Sequence, residues 1–359
     1  MPVASYLRKN IAAIEGYVPG EQPRGGEFIK LNTNENPYPP SPRVLSALRK
    51  AADRSLRLYP EPLSDSLRSV AAGVYGLSPE HILVGNGSDE LLSLLMRCFV
   101  GPQDRVAYAE PTYTLYDTLI AIQEGVKATT PYLPDFSLPE SLFGEKAALT
   151  FVCNPNSPSG TLVPLDVIER LAGAVSGVLV IDEAYIDFAE GDGVSAMALL
   201  KSHPNLVVLR TFSKSFSLAG MRIGLAFASD EIIAGMTKVK DSYNVNRLSQ
   251  VAAAAALGDL PWMRRNTRRI QRTRKKLTHD LKKLGFQVYP SQANFVLARQ
   301  AGQNLKRLYE ELKRRRILVR YLDQPGLQDC LRITVGAPGE VAALLGQIET
   351  IAGEKGEIR

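Results

Sequence analysis

The feature that most constrains this chain is a repeated alternation of short apolar runs and helical patterns. HILVGNG (81–87) precedes SDELLSLLMRCF, DRVAYAEP (104–111) precedes TYTLYDTLIAIQ, and ALTFVCNP (148–155) precedes LDVIERLAGAV. GVLVIDEAY (177–185), NLVVLRTFS (205–213) and IGLAFAS (223–229) add three further apolar runs. Runs rich in Val, Ile and Leu, without polar alternation, are strands buried on both faces. Strands that alternate with helices predict an α/β fold, a mostly parallel sheet sandwiched by helices. The large domain is expected over 41–255.

From about residue 255 the texture changes. FQVYPSQANFVLARQ, NLKRLYEELKRRR, ILVRYL and DCLRITVG mix short strands with helices, which predicts a smaller α+β domain over 256–359. Residues 1–40, rich in Pro and Gly, read as an extended N-terminal arm that packs on the rest and joins the small domain.

Residues 264–276, RRNTRRIQRTRKK, hold eight basic residues and no acidic one, and account for much of the net charge of +6. Such a run reads either as a nucleic-acid surface or as the solvated face of an amphipathic helix. Met263, Ile270, Leu277, Leu281 and Leu284 recur at helical spacing and supply a seam for the second reading. No aromatic residue is interleaved to stack on bases, so no nucleic-acid partner is expected. No apolar run approaches the roughly 18 residues of a membrane span, and the first residues lack an apolar leader core. The cysteines, Cys98, Cys153 and Cys330, are far apart and fit no metal or redox spacing. A cytoplasmic protein without membrane or metal partners is the expectation.

In open α/β sheets ligands bind beyond the carboxyl ends of the strands. GNGSDE (85–90) leads into a helix N-terminus at Ser88 and Asp89, whose free N–H groups suit an anion. The next loops bring Tyr113 and Tyr116, then NPNSPSG (154–160), then DEAY (182–185) and last FSKSF around Lys214. Each feature alone has an ordinary explanation as a turn, a cap or a surface charge. Five such loops in one order are a stronger signal than any one of them.

The motifs IKLNTNENPYPPSP (29–42), LYPEP (58–62), GNGSDE, EPTY, NPNSPSG, DEAYIDF, TFSKSFSLAGMRIG and LRITVG (331–336) span nearly the whole chain. In these the sequence resembles the pyridoxal-phosphate enzymes of fold type I, and within them the histidinol-phosphate aminotransferase family. The resemblance implies pyridoxal 5'-phosphate as cofactor. It implies that Lys214 bonds the cofactor aldehyde and then shuttles a proton, with an amine pKa lowered by burial and by cations such as Arg222. Asp182 is implied to keep the pyridine nitrogen protonated, with Glu183 as the competing carboxylate. Tyr185 and Asn154 resemble the pair that bonds the ring oxygen, and Tyr113 the aromatic ring that stacks on the cofactor. Ser213 and Arg222 are the expected phosphate ligands, with the Ser88 and Asp89 N–H groups. Gly220 and Gly224 fit a backbone bent close to the ligand. Tyr59 resembles a tyrosine that reaches the phosphate of a neighbouring subunit, which implies a homodimer with shared active sites. The Glu110–Pro111 and Asn154–Pro155 bonds are candidates for cis geometry.

The resemblance further implies a transaminase converting L-histidinol phosphate and 2-oxoglutarate to imidazole acetol phosphate and L-glutamate. Arg332 is the expected anchor for carboxylate and phosphate alike, Arg320 a second cation, and Tyr17 and Asn34 line the imidazole end. Serines stand in NPNSPSG where Asn and Thr are usual, and in KSFSLAG where small apolar residues are usual. Relatives acting on aromatic amino acids, or decarboxylating threonine phosphate, remain alternatives. A DNA-bound regulator with this fold as its sensor is disfavoured by the length.

Overall fold

All six apolar runs are strands of one sheet, joined by a seventh, Val126–Pro131, that carries no apolar run. The computed structural model describes residues 6–23, 25–191 and 193–353. Across the sheet the order is Ile82–Gly85, Gly224–Phe227, Leu206–Thr211, Val178–Asp182, Leu149–Cys153, Arg105–Glu110 and Val126–Pro131. Gly224–Phe227 runs antiparallel to both of its neighbours, and the other pairings are parallel.

Side chains alternate between the two faces, as the pleat requires. Ile82, Val84, Leu179, Ile181, Leu206 and Val208 enter one apolar core; helices Pro42–Ala51, Asp65–Tyr75, Leu165–Ala174 and Arg247–Leu257 also pack into it. Leu83, Val180, Val207 and Leu209 enter the other, with Ser88–Phe99, Leu115–Ile122 and Asp230–Val239. Both faces are therefore covered, and the carboxyl edge of the sheet is left for a site.

A four-stranded antiparallel sheet follows, in the order Arg320–Tyr321, Cys330–Thr334, Phe295–Arg299 and Gln287–Val288. It shares a separate apolar core with the long helix Leu260–Lys283 and with Pro338–Gly353. Met263, Ile270, Leu277 and Leu281 of the long helix are buried, while Arg264, Arg265, Arg268, Arg269, Arg272, Lys275 and Lys276 are exposed. Seven of the eight basic residues are thus the helix's outer face, while Arg274 is buried and bonds the Phe188 and Ala293 carbonyls and Glu190.

The N-terminal arm is less extended than its composition implies. It forms a short helix, Lys9–Ala13, and a strand, Ile29–Lys30, parallel to Ile317–Leu318. Leu31 donates its N–H to the Leu318 carbonyl and accepts from Thr334 N–H. Residues 29–34 are thereby fixed to the C-terminal part of the chain and carried over the carboxyl edge of the large sheet. Among the described residues, no helix is long and apolar enough to cross a membrane.

Candidate active site

Register explains why distant loops converge. Gly224 pairs with both Gly85 and Thr211. The antiparallel strand therefore begins where its neighbours end, and Arg222, just before it, joins their carboxyl-end loops. Arg222 sits in the left-handed region, φ 52°. Gly220 has open space around it, so the bend is made at Arg222, and the close approach falls at Gly224. A Cβ on Gly224 would lie 2.7 Å from Ser88 N, and one on Gly87 2.6 Å from an Arg222 nitrogen. Helix Ser88–Phe99 starts beside this contact with no side-chain cap.

The loops enclose a cleft of about 310 Å³, lined by Ser88, Asp89, Tyr113, Asp182, Tyr185, Ser213, Lys214 and Arg222 from the large sheet. Tyr17 and Asn34 come to it from the arm, and Arg320 and Arg332 from the small sheet. Arg320 and Arg332 are direct partners on paired strands, so two guanidinium groups share one side of the cleft.

Lys214 Nζ donates to the Thr33 carbonyl at 3.3 Å and lies 5.8 Å from the Tyr185 ring centre. Burial lowers its pKa to about 8; Arg332, and more weakly Arg222, act in the same direction, against the pull of Glu35 and Asp89. Arg332 is the stronger of the two cations, where the sequence pointed to Arg222. Asn36 donates to the Lys214 and Ser215 carbonyls at 3.0 and 3.2 Å and so clamps the lysine loop. The motif NTNENP contained Asn36, but nothing in its composition distinguished it from a turn asparagine.

The two adjacent carboxylates separate cleanly. Asp182 is buried, takes the Ala184 N–H at 3.1 Å and the Tyr116 hydroxyl at 3.4 Å, and faces the cleft. Burial pushes its pKa up to about 7. Glu183 points away, to Arg210 at 2.8 Å, the Ser195 hydroxyl at 2.8 Å and the Ala196 N–H at 2.6 Å. Tyr185 accepts from the Asn34 amide at 3.0 Å, and its burial raises its pKa to about 12. Tyr113 packs edge-on to Tyr17, with centroids 5.8 Å apart, and donates its hydroxyl to Asp89 at 3.1 Å. Arg222 reaches Ser213 Oγ at 3.3 Å and Asp89 at 3.2 Å.

One expectation needs correction. Asn154 is not in the cleft: its amide donates to the Val163 carbonyl at 3.1 Å and accepts from Val163 N–H at 2.8 Å. Ser157, further along the same loop, lines the cleft in its place and accepts from Arg332 at 3.0 Å. Asn34 lines the cleft; it donates one amide N–H to Tyr185 and accepts the Thr334 hydroxyl at its oxygen, which leaves a second N–H. Tyr59 is 80% exposed, stacked on Tyr243, and outside the cleft of its own chain. Glu110–Pro111 and Asn154–Pro155 are both cis, as is Ser157–Pro158.

The model of aminotransferase class I and II matches residues 26–348. The chain belongs to the class I and II aminotransferases. It is 48% identical over 337 residues to a histidinol-phosphate aminotransferase of Citrifermentans bemidjiense, covering 93% of this chain and 95% of that one. It is 46% identical over 336 residues to histidinol-phosphate aminotransferase 1 of Trichormus variabilis, with the same 93% and 95% coverage. In structure it is similar to the histidinol-phosphate aminotransferase of Sinorhizobium meliloti in complex with pyridoxal-5'-phosphate. That likeness has a TM-score of 0.84 and 29% identity, over 90% of this chain and 91% of that one.

Pyridoxal phosphate is the cofactor of class I and II aminotransferases, and the residues of this cleft suit it. The Ser88–Phe99 N-terminus lies open beside Arg222 and Ser213, a donor set for a phosphate. Asp182 is a buried carboxylate with no cation bonded to it among the described residues, which suits a protonated ring nitrogen. Arg332 Nε is buried and has no partner among the described residues, an open donor for an anionic ligand.

Proposed function

We propose that this chain is a pyridoxal-phosphate-dependent aminotransferase that converts L-histidinol phosphate and 2-oxoglutarate to imidazole acetol phosphate and L-glutamate. The observation that carries the substrate is the Arg320–Arg332 pair in the same cleft as Lys214. One anion side must receive a phosphate monoester from one substrate and a carboxylate from the other, and a guanidinium fork matches both. The relatives named for this activity support the reading.

When bound, pyridoxal phosphate is an electron sink for the carbon that bears the amine. Lys214 would hold the cofactor by its aldehyde and, when free, its amine would serve as the base that carries the substrate's proton. A pKa of about 8 leaves part of the amine neutral at working pH, as a base requires. Asp182, buried at the floor of the cleft, would keep a proton on the ring nitrogen. Tyr185, bonded to Asn34, would bond the ring oxygen. Tyr113 would cover the ring face, with Tyr17 packed edge-on to it. Ser213, Arg222 and the Ser88 and Asp89 N–H groups would hold the cofactor phosphate. Arg332, fixed by Ser157 and by the Asn32 carbonyl at 3.2 Å, takes the substrate anion, with Arg320 beside it. Residues 41–255 would form the cofactor domain and 256–359 a smaller domain, with 1–40 as an arm across both; 1–5, 24, 192 and 354–359 lie outside the described residues. A cytoplasmic homodimer, with Tyr59 of each copy at the other's cofactor, completes the proposal.

The test is a half-reaction. The pyridoxal form is mixed with histidinol phosphate, phenylalanine or threonine phosphate, and conversion to the pyridoxamine form is followed by absorbance. Fastest conversion by histidinol phosphate is expected. Faster conversion by phenylalanine would make the chain an aromatic aminotransferase, and carbon dioxide release from threonine phosphate a decarboxylase.

A further inference from the structure

We propose that Glu35 is the specificity-determining residue for the imidazole of the substrate, accepting its ring N–H; this rests on the histidinol-phosphate reading above. The cleft is lined by three carboxylates, Glu35, Asp89 and Asp182. Asp182 is buried at the cofactor ring position, and Asp89 is paired with Arg222 on the phosphate side. Glu35 belongs to neither. It comes from the arm, beside Thr33, whose carbonyl holds the Lys214 amine.

Its carboxylate is held in place from behind. Lys30 Nζ lies 2.5 Å from Oε1, and the Thr33 hydroxyl donates to Oε2 at 2.6 Å. Burial works to raise its pKa; the bonds from Lys30 and Thr33 outweigh that and keep it below the usual carboxylate range. The side chain is still 38% exposed, on the cleft side. Two ionised oxygens offer about four acceptor positions, and two are filled, so the group is an oriented acceptor with capacity left.

Substrate shape brings the imidazole toward it. The amine-bearing carbon of histidinol phosphate carries two arms, one ending in phosphate and one in imidazole. With the reacting carbon at Lys214 and the phosphate on Arg332, the arm wall of Tyr17, Gly20, Gln22, Thr33 and Glu35 is open to the imidazole; Arg320 borders that wall through the Val18 and Pro19 carbonyls. Asn34, the other polar group expected there, gives one N–H to Tyr185 and its oxygen to Thr334 and is uncharged, whereas Glu35 is an ionised acceptor. Glu35 also works against the lysine, since its charge raises the Lys214 pKa. A ligand that bonds the carboxylate accounts for keeping it beside an amine that must lose a proton.

Glutamate has no N–H at that end, and its second carboxylate is repelled by Glu35. The experiment measures half-reactions of wild type, Glu35→Gln and Glu35→Asp with histidinol phosphate and with glutamate. Glutamine keeps one neutral acceptor oxygen, which Lys30 and Thr33 also claim, so Glu35→Gln should lower kcat/KM for histidinol phosphate about ten- to a hundredfold through loss of the charged acceptor. Glutamate should stay within about threefold or improve, and it serves as the folding control; Glu35→Asp should recover part of the loss. An equal fall with both donors, or no fall with either, overturns the assignment and leaves the transaminase reading intact. Failure of the wild type to prefer histidinol phosphate overturns both.

Discussion

Asp182 and Glu183 are adjacent in the chain and differ in every contact. Glu183 forms a buried ion pair with Arg210, and Asp182 is a buried carboxylate that no cation meets among the described residues. Arg210 keeps a second carboxylate, Asp187 at 2.9 Å, so Glu183→Ala removes one of its two partners and should cost about 1–3 kcal/mol of stability. Asp182→Asn should instead slow turnover by at least about a hundredfold, because a fixed charge at the reacting group is lost. Its effect on the cofactor-free fold should have the opposite sign. A carboxylate whose pKa rises from about 3.8 to about 7 on folding destabilises the fold once ionised. That cost grows as pH climbs from 3.8 to 7 and is full above it, so cofactor-free Asp182→Asn should melt no lower than wild type at pH 8. A lower melt at pH 8, or unimpaired turnover, would put the cofactor's carboxylate elsewhere. The apolar run VLVI made either residue a fair candidate, because a strand end does not reveal which side chain turns outward. NPNSPSG raised the same difficulty. Its polar residues have no period, so composition could not decide that Asn154 braces Val163 while Ser157 meets Arg332.

At the scale of elements, the strands that build the floor of the site were legible because they are buried on both faces and so carry unbroken apolar runs. Val126–Pro131 lies at the sheet edge, with little buried surface and a sequence, VKATTP, to match. Helix Pro42–Ala51 does have a start signal, with Ser41 as N-cap accepting the Arg43 N–H at 3.1 Å and Pro42 at the first position. It is hidden in sequence by the proline-rich arm before it. Close approach of elements is also invisible in sequence, and Gly224 is its sharpest case. An added methyl would meet Ser88 N at 2.7 Å and the Gly87 carbonyl carbon at 2.8 Å, both backbone atoms that cannot rotate away. Gly224→Ala should therefore push the Ser88–Phe99 N-terminus off the sheet. The expected result is a loss of about 1–3 kcal/mol of stability, with weaker retention of pyridoxal phosphate on dialysis. Gly220→Ala, with open space around the new methyl, should change neither. Equal behaviour of the two variants would remove close packing as the reason for glycine at 224.

The whole molecule bears on one residue that its own cleft leaves out. Tyr59 stands 80% exposed beside Leu56 at 49% and Leu58 at 53%, and stacks on Tyr243 at 46%. Large apolar side chains gathered in this way mark an association surface. A closed pair of identical chains would present each Tyr59 to its partner. The proposed shared site makes a specific demand. Lys214→Ala and Tyr59→Ala homodimers should each be impaired at limiting pyridoxal phosphate, the first in chemistry and the second in cofactor retention. A mixed dimer carries one site with both substitutions and one with neither. Random reassociation of equal amounts makes about half of the dimers mixed, so about a quarter of wild-type sites should reappear. Activity that rises on mixing, at low cofactor, supports sites built from two chains. Activity that stays at the mean of the separate variants would confine each site to one chain and leave the exposed tyrosine with some other partner.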